Sequence, residues 1–304
     1  MPQAAVVWAM AYGVVRIWWA VGPAPAFGAR GDLIAFSGWG VVGLCAAAAI
    51  VAVALLIARW WWWLLFVAWT VTAALLVSCA VLLLDVVGGL LPGMGVDFYP
   101  VGFASRAGCL VAAILMAAAA EAYRRRWRSA CLFCGRTRMA AQPTKPQWWA
   151  WCAAYLTVAG CLLRLGAQAA VGFGTSLAPV GGSLVIFEAG FLLAGTVLPL
   201  ALVHSWGRVV PRWSPLLAGR RIPRWLVLAP ASAIAVAMTM YFGVTVVALA
   251  AATLSGSSAG FTGSLPLAFF WASVPAYLAW GIGLGIAGVA YYRMTRPRCR
   301  VCGR

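Results

Sequence analysis

Charged side chains are scarce in this chain of 304 residues. They make up 9% of the sequence against 65% hydrophobic residues, and the mean hydropathy is +0.96. A soluble globular domain carries about 25% charged residues, because much of any folded surface faces water. A water-soluble fold is therefore excluded, and the composition predicts an all-α integral membrane protein.

Acidic residues are rarer still. Five Asp and Glu stand against 22 Lys and Arg, which gives a formal net charge of +17. The basic residues lie mainly in short segments between apolar stretches, so their excess indicates positive-inside topology rather than a nucleic-acid interface. We expect the lipid bilayer, and no nucleic acid, as the partner of this surface.

Motifs of well-known chemistry are also missing. The only histidine is His204, which excludes bis-histidine haem ligation. The chain has no phosphate-binding glycine loop, no dinucleotide fingerprint, no HExxH and no G-x-S-x-G. ATP-driven pumping by this chain alone is therefore excluded.

Apolar stretches long enough to cross a bilayer are abundant. A spanning helix needs about 20 mainly apolar residues, and the sequence predicts eight of them. The first is expected to be a retained helix and not a cleaved signal peptide, because no basic residue precedes it. The predicted spans are 2–21, 33–58, 60–84 and 103–123, two between 148 and 204 with a break near 172–182, and two between 225 and 292 divided at 255–264.

The basic residues predict the orientation of these spans. Arg59, the segment 123–145, the loop 207–224 and the tail from Arg293 together hold 18 of the 22 Lys and Arg residues. Short loops rich in arginine stay in the cytoplasm. We therefore expect a multi-pass protein of the cell membrane with both termini cytoplasmic.

The two halves of the chain share sequence features. The pattern Tyr-x7-Cys-x2-Cys-Gly-Arg ends both halves, at 123–136 and again 168 residues later at 291–304, and Arg16 matches Arg164 at an offset of 148. The pattern predicts two four-helix repeats, 1–136 and 148–304, joined by a cytoplasmic connector at 137–147. Because four helices return the chain to its starting side, the repeats are expected to be parallel.

Four cysteines lie in the two C-x-x-C-G units and are candidate metal ligands: Cys131, Cys134, Cys299 and Cys302. The two-residue spacing lets both sulfurs of one turn face a single ion, and four thiolates complete a closed tetrahedral zinc site. The sequence thus predicts one structural Zn²⁺. Redox-active dithiols and unligated thiols remain alternatives.

Four charged residues are predicted at or near membrane depth. Arg16 and Arg164 fall in the outer halves of the first and fifth spans, and Asp85 and Glu188 lie near the outer side. Ionised groups at this depth are costly and often functional. One hypothesis makes the four a substrate-binding lining between the repeats. The alternative is structural ion pairing or snorkelling to the interface.

Several motifs resemble those of a loosely defined group of multi-pass membrane proteins from high-GC bacteria. They are Arg16-Ile-Trp-Trp-Ala-Val-Gly, Pro211-Arg-Trp with Pro223-Arg-Trp, and the two Cys-x-x-Cys-Gly-Arg ends. The resemblance implies the architecture of tandem helical repeats. It implies no activity, because none is established for that group.

Three classes of function remain open. The first choice is a transporter or permease with an unknown small-molecule or lipid substrate, because parallel repeats are frequent in transporters. The second is an intramembrane enzyme acting on a lipid or isoprenoid, with Asp85 or Glu188 as the candidate acid. The third is a non-catalytic scaffold with a cytoplasmic zinc clip and a protein partner. Enzymatic activity is the less expected outcome.

Overall fold

The part of the chain that the computed structural model describes is mainly helical. That part comprises residues 2–28, 31–59, 61–92, 97–128, 131, 134, 143, 145–172, 182–210, 218–257, 265–297, 299 and 301–302. Its helices are α1 (Pro2–Val21), α2 (Trp39–Ile57), α3 (Trp62–Ser78), α4 (Leu82–Leu90), α5 (Pro100–Trp127), α6 (Trp148–Val171), α7 (Gly182–Leu192), α8 (Leu198–Val203), α9 (Arg224–Leu254) and α10 (Leu267–Thr295). A π-helical segment, Leu193–Val197, links α7 to α8, and one short 3-10 turn follows at Ser205–Gly207.

Among the described residues, seven helical segments are long and apolar enough to cross a membrane. Six are single helices, and the seventh is Val185–Val203, which runs through the π-helical segment. The count rises to eight if α3 and α4, which meet at a bend of 40°, form one span. Large apolar side chains are exposed, among them Ile57 at 80% and Leu254 at 89%. Such surfaces fit lipid, and the helices agree with the predicted all-α, polytopic membrane class.

The bend between α3 and α4 departs from the straight span predicted at 60–84. The carbonyl of Ser78 accepts the backbone N–H of Ile34 at 3.3 Å, and the N–H of Leu82 turns instead to the carbonyl of Cys79 at 2.9 Å. The i to i−4 ladder therefore stops at this point, as expected where another group inserts into it. Trp60, the first residue of the predicted span, lies outside the described residues.

The helices divide into two units. Unit 1 comprises Met1–Gly89, Asp97–Ala140 and Arg298–Arg304, and unit 2 comprises Leu90–Val96 and Ala141–Pro297. In unit 1, α1 packs on α2 and α5, and α3 packs on α2 and α5. Its core is rich in fully buried small residues such as Ala52, Ala68 and Ala119, which let helices approach closely in a membrane.

Unit 2 is built around α10, which packs on α6, α8 and α9. A Cβ atom on Gly160 of α6 would lie 2.6 Å from the carbonyl oxygen of Ala276, and one on Gly283 would lie 2.6 Å from that of Ala153. The backbones of α6 and α10 are therefore in contact, which only glycine permits at these two positions. Trp280 fills the centre and is fully buried.

The two breaks predicted in the second half are only partly described. α9 ends at Leu254 and α10 begins at Leu267, on either side of the predicted loop at 255–264. Residues 173–181 and 258–264 lie outside the described part of the chain. The repeat boundaries 1–136, 137–147 and 148–304 stay a prediction.

Candidate metal centre and buried ion pairs

The four cysteines of the C-x-x-C units converge in unit 1. The Sγ atoms of Cys131 and Cys299 are 4.0 Å apart, and those of Cys134 and Cys302 are 3.5 Å apart. All four sulfurs lie within 4.8 Å of one another, and none forms a disulfide. Each close pair joins a cysteine to its counterpart 168 residues later. The predicted ligand set is thus brought together at one place.

The spacing of the sulfurs fits a tetrahedral ion. With Zn–S bonds of about 2.3 Å, the edge of a zinc-thiolate tetrahedron is about 3.8 Å, close to the two measured separations of 4.0 and 3.5 Å. A disulfide would require about 2.05 Å. The donor set, four thiols with no histidine or carboxylate in the cluster, suits a closed structural site with no position left for a catalytic water.

The local backbone favours the thiolate of Cys299. Backbone hydrogen bonds from Cys302 and Val301 lower the pKa of Cys299 to about 6. This is the usual geometry of a tight turn in which amides point at the first sulfur. A thiolate at neutral pH is the form that both metal binding and thiol chemistry require.

A second polar cluster surrounds Arg16 of α1 in unit 1. Its guanidinium forms a two-pronged ion pair with Asp32 and donates to the Oγ of Ser105 at 2.8 Å. Ser105 in turn donates to Asp32 at 2.8 Å, and the hydroxyl of Tyr12 donates to the carbonyl of Ser105. The Arg16 side chain is 2% exposed. This cluster therefore balances its charge inside the unit.

Arg106 of α5 extends the same network. It pairs with Asp85 of α4, both side chains being about 1% exposed, and it donates to the backbone carbonyls of Gly31 and Asp32. The segment before α2 is thereby fixed to α5. Asp85 thus lies in an ion pair with Arg106.

The corresponding cluster in unit 2 surrounds Arg164 of α6. Both terminal nitrogens of its guanidinium donate to Glu188 of α7, each at 2.7 Å, and Nε donates to the hydroxyl of Tyr277 at 2.7 Å. The rings of Phe191 and Tyr277 lie 5.2 and 5.9 Å from the guanidinium carbon, within the range of a cation–π contact. Phe242 stacks on Tyr277 at 4.2 Å.

The four residues predicted as a substrate-binding lining divide between the units. Arg16 and Asp85 lie in unit 1, and Arg164 and Glu188 lie in unit 2. Of these four, Arg164 and Glu188 pair with each other. Their assignment as a common binding site, or of Asp85 and Glu188 as catalytic acids, stays a prediction.

The sequence patterns did not predict Asp32, Ser105 or Tyr277 as members of these clusters. Asp32 was the first acidic residue after Arg16, which was a usable signal. The predicted duplication gave a signal for Ser105, because Ser273 follows it at the same offset of 168. Nothing in the sequence singled out Tyr277 among eight tyrosines.

No known protein family, no curated protein and no solved structure matches this chain. The resemblance to multi-pass membrane proteins of high-GC bacteria therefore stays a prediction.

Proposed function

We propose that this chain is a polytopic membrane scaffold whose two C-x-x-C units bind one structural Zn²⁺. The observation that carries the proposal is the convergence of four cysteine sulfurs within 4.8 Å of one another. The ion would join the segment after α5 to the segment after α10. Structural zinc of this kind contributes folding energy directly, so it would hold the end of the chain in place.

The proposed scaffold has eight spans in two repeats, with α3 and α4 counted as one bent span. The helix pairings support the duplication. In unit 1 the first helix packs on the second and on α5, and in unit 2 α6 packs on α8 and on α10. Tyr12 packs at Gly108 where α1 crosses α5, and the positions 148 and 168 residues later, Gly160 and Ala276, meet where α6 crosses α10.

The proposed orientation places both termini and the zinc site in the cytoplasm. This orientation is supported by the excess of arginine in the connecting segments. It is also supported by the four cysteine thiols, because the cytoplasm keeps thiols reduced. Cysteine-free reporters fused after Tyr123 and after Tyr292 should both be cytoplasmic. Reporters on opposite sides would contradict the topology and the shared site together.

Metal analysis of the purified protein tests the zinc site. We expect one zinc per chain, and loss of most of it in both Cys131→Ser and Cys299→Ser, because the two units share one ion. Cys152→Ser is the matched control, since Cys152 is an exposed cysteine of α6 outside the cluster. Two zinc ions per chain, or a full complement in Cys299→Ser, would contradict the proposal.

Thiol alkylation gives a second measurement of the same site. Since the pKa of Cys299 is lowered to about 6, its thiolate prevails above pH 6 in metal-free protein. At pH 6 it should react roughly tenfold faster than a reference cysteine peptide with a pKa near 8.5, because its larger thiolate fraction outweighs the lower nucleophilicity of a low-pKa thiolate. Added zinc should suppress the reaction. Equal rates with and without zinc would speak for free dithiols.

Transport is the second candidate function, and two discontinuous spans favour it. One is the bend between α3 and α4, and the other is the π-helical segment Leu193–Val197. Broken helices and π-bulges are common at transport and functional sites. The test is a solute screen on proteoliposomes. Arg16→Ala and Arg164→Ala should each abolish the flux found, and unchanged flux in folded variants would reject the proposed binding residues.

An intramembrane enzyme has less support. Asp85 and Glu188 each accept hydrogen bonds from a guanidinium, an arrangement that suits an ion pair better than a proton donor.

A further inference from the structure

Unit 2 carries an apolar groove on its surface between α9 and α10. Its volume is about 530 Å³, within the range of small-molecule sites. Its walls are mainly aliphatic, and Gly281 lets α10 pack closely on α9 beside it, because a Cβ there would lie 2.8 Å from the backbone nitrogen of Thr239. Residues lining it include Ala235, Val236, Met240, Ile282 and Ile286.

One end of the groove is polar and cationic. Trp149, in the first turn of α6, and Arg293, in the last turn of α10, line this end. Both residues also line a smaller adjoining cavity, which adds Lys145 and Gln147. Gln147 accepts the indole N–H of Trp149 at 2.5 Å and so fixes the ring. An indole and two cations thus mark the end of an apolar trough.

No acidic residue of unit 2 pairs with the positive charge at this end. Glu188 is the only acidic residue in the sequence of unit 2, and both of its carboxylate oxygens bind Arg164. Lys145 and Arg293 are exposed. Both cations are therefore accessible to a negatively charged group at the membrane surface.

We propose that this groove binds an anionic phospholipid, with an acyl chain along α9 and α10 and the phosphate between Lys145 and Arg293. The apolar groove suits the acyl chain of the lipid, and the two cations suit its negatively charged headgroup. Basic residues at the membrane surface bind anionic lipids in this manner. Trp149 lies where an amphipathic indole is most stable, at the level of the headgroups.

Native mass spectrometry of the full-length protein tests the headgroup. Phosphatidylglycerol and phosphatidylcholine with the same palmitoyl and oleoyl chains are compared, and we expect phosphatidylglycerol to be retained preferentially. Arg293→Gln and Lys145→Gln should each reduce that preference roughly fivefold. Arg296→Gln is the matched control, because Arg296 packs on Tyr292 and lines neither cavity. Equal retention of the two lipids, or an unchanged preference in Arg293→Gln, would overturn the proposal.

A second variant tests the acyl chain. Gly285→Leu should fill the trough and lower the retention of phosphatidylglycerol, because an added Cβ meets only Ala235 at an ordinary 3.6 Å. Gly166→Leu, with open space around its Cβ, is the control. Inorganic phosphate should not displace the lipid at equal concentration. Displacement by phosphate, or full retention in Gly285→Leu, would identify a headgroup-only site and reject the lipid proposal.

Discussion

The two units bury an arginine at positions that the proposed duplication pairs, yet they satisfy it differently. In unit 1, Arg16 meets Asp32 from the segment before α2, 16 residues later, with Ser105 bridging the two. In unit 2, Arg164 meets Glu188 within α7, 24 residues later. The acidic partner is an aspartate in unit 1 and a glutamate in unit 2, and its distance along the chain from the arginine differs. In both units the buried arginine nevertheless pairs with one carboxylate, so that the pair carries no net charge.

Solvation also differs between the two clusters. The Arg16 and Asp32 side chains are 2% and 11% exposed, whereas Glu188 is 27% exposed. Unit 1 adds a second pair, Arg106 with Asp85, and unit 2 adds the hydroxyl of Tyr277. Charge neutrality at membrane depth is therefore the shared requirement, because an unpaired ion there is costly. The geometry that meets it is free to vary.

The largest effect is expected from Asp32→Asn. The substitution leaves Arg16 buried without a counter-charge, and breaking a buried pair in this way costs about 3–5 kcal/mol. The measurement is the thermal unfolding temperature of detergent-solubilised protein. Glu121→Gln is the control, because Glu121 pairs locally with the partly exposed Arg124 and Arg125. A melting temperature as high as that of the control variant would show that Arg16 does not depend on Asp32.

Glu188→Gln should cost less than Asp32→Asn. The carboxylate is partly exposed, and Arg164 keeps the hydroxyl of Tyr277 and the ring of Phe191. We expect a loss of about 1–3 kcal/mol, the range for removing a charged hydrogen-bond partner. The same unfolding experiment ranks the two variants. If Glu188→Gln lowered the unfolding temperature more than Asp32→Asn did, the exposure of the carboxylate would not determine how much stability each ion pair contributes.

Tyr277→Phe should have a smaller effect still. It removes one hydrogen bond from Nε of Arg164, worth about 1.5 kcal/mol, the lower end of the range for a charged partner, while the aromatic stacking on Phe242 is retained. The free energies of unfolding of Tyr277→Phe, of Glu188→Gln and of the double variant together give the coupling energy between the two side chains. Simple additivity would mean that the two partners of Arg164 act independently.

The smallest effects concern two serines 168 residues apart. Ser105 bridges Arg16 and Asp32, so Ser105→Ala should cost about 1–2 kcal/mol. Ser273 is buried and has no hydrogen-bond partner among the described residues, so Ser273→Ala should be neutral or slightly stabilising. Ser105→Ala should therefore lower the unfolding temperature, whereas Ser273→Ala should leave it unchanged or raise it slightly. A loss in Ser273→Ala as large as in Ser105→Ala would indicate a polar contact that unit 2 makes outside the described residues.

Local sequence rules were sufficient for several features. The ion pairs of Glu121 with Arg124 and Arg125 follow directly from their i,i+3 and i,i+4 spacing on a helix. The matching C-x-x-C units predicted the cysteine cluster. The bend between α3 and α4 was not predictable, because it depends on the N–H of Ile34 reaching the carbonyl of Ser78, 44 residues away.

The sequence by itself determined the membrane class, most of the helical spans and the set of four thiols, because each follows from composition or from short spacings along the chain. The tertiary structure alone decided which acid neutralises which arginine and where α9 and α10 leave a groove. Those choices depend on helix packing between residues far apart in the chain. Such packing is set by side-chain volume and by the close approach of glycines such as Gly160 and Gly283.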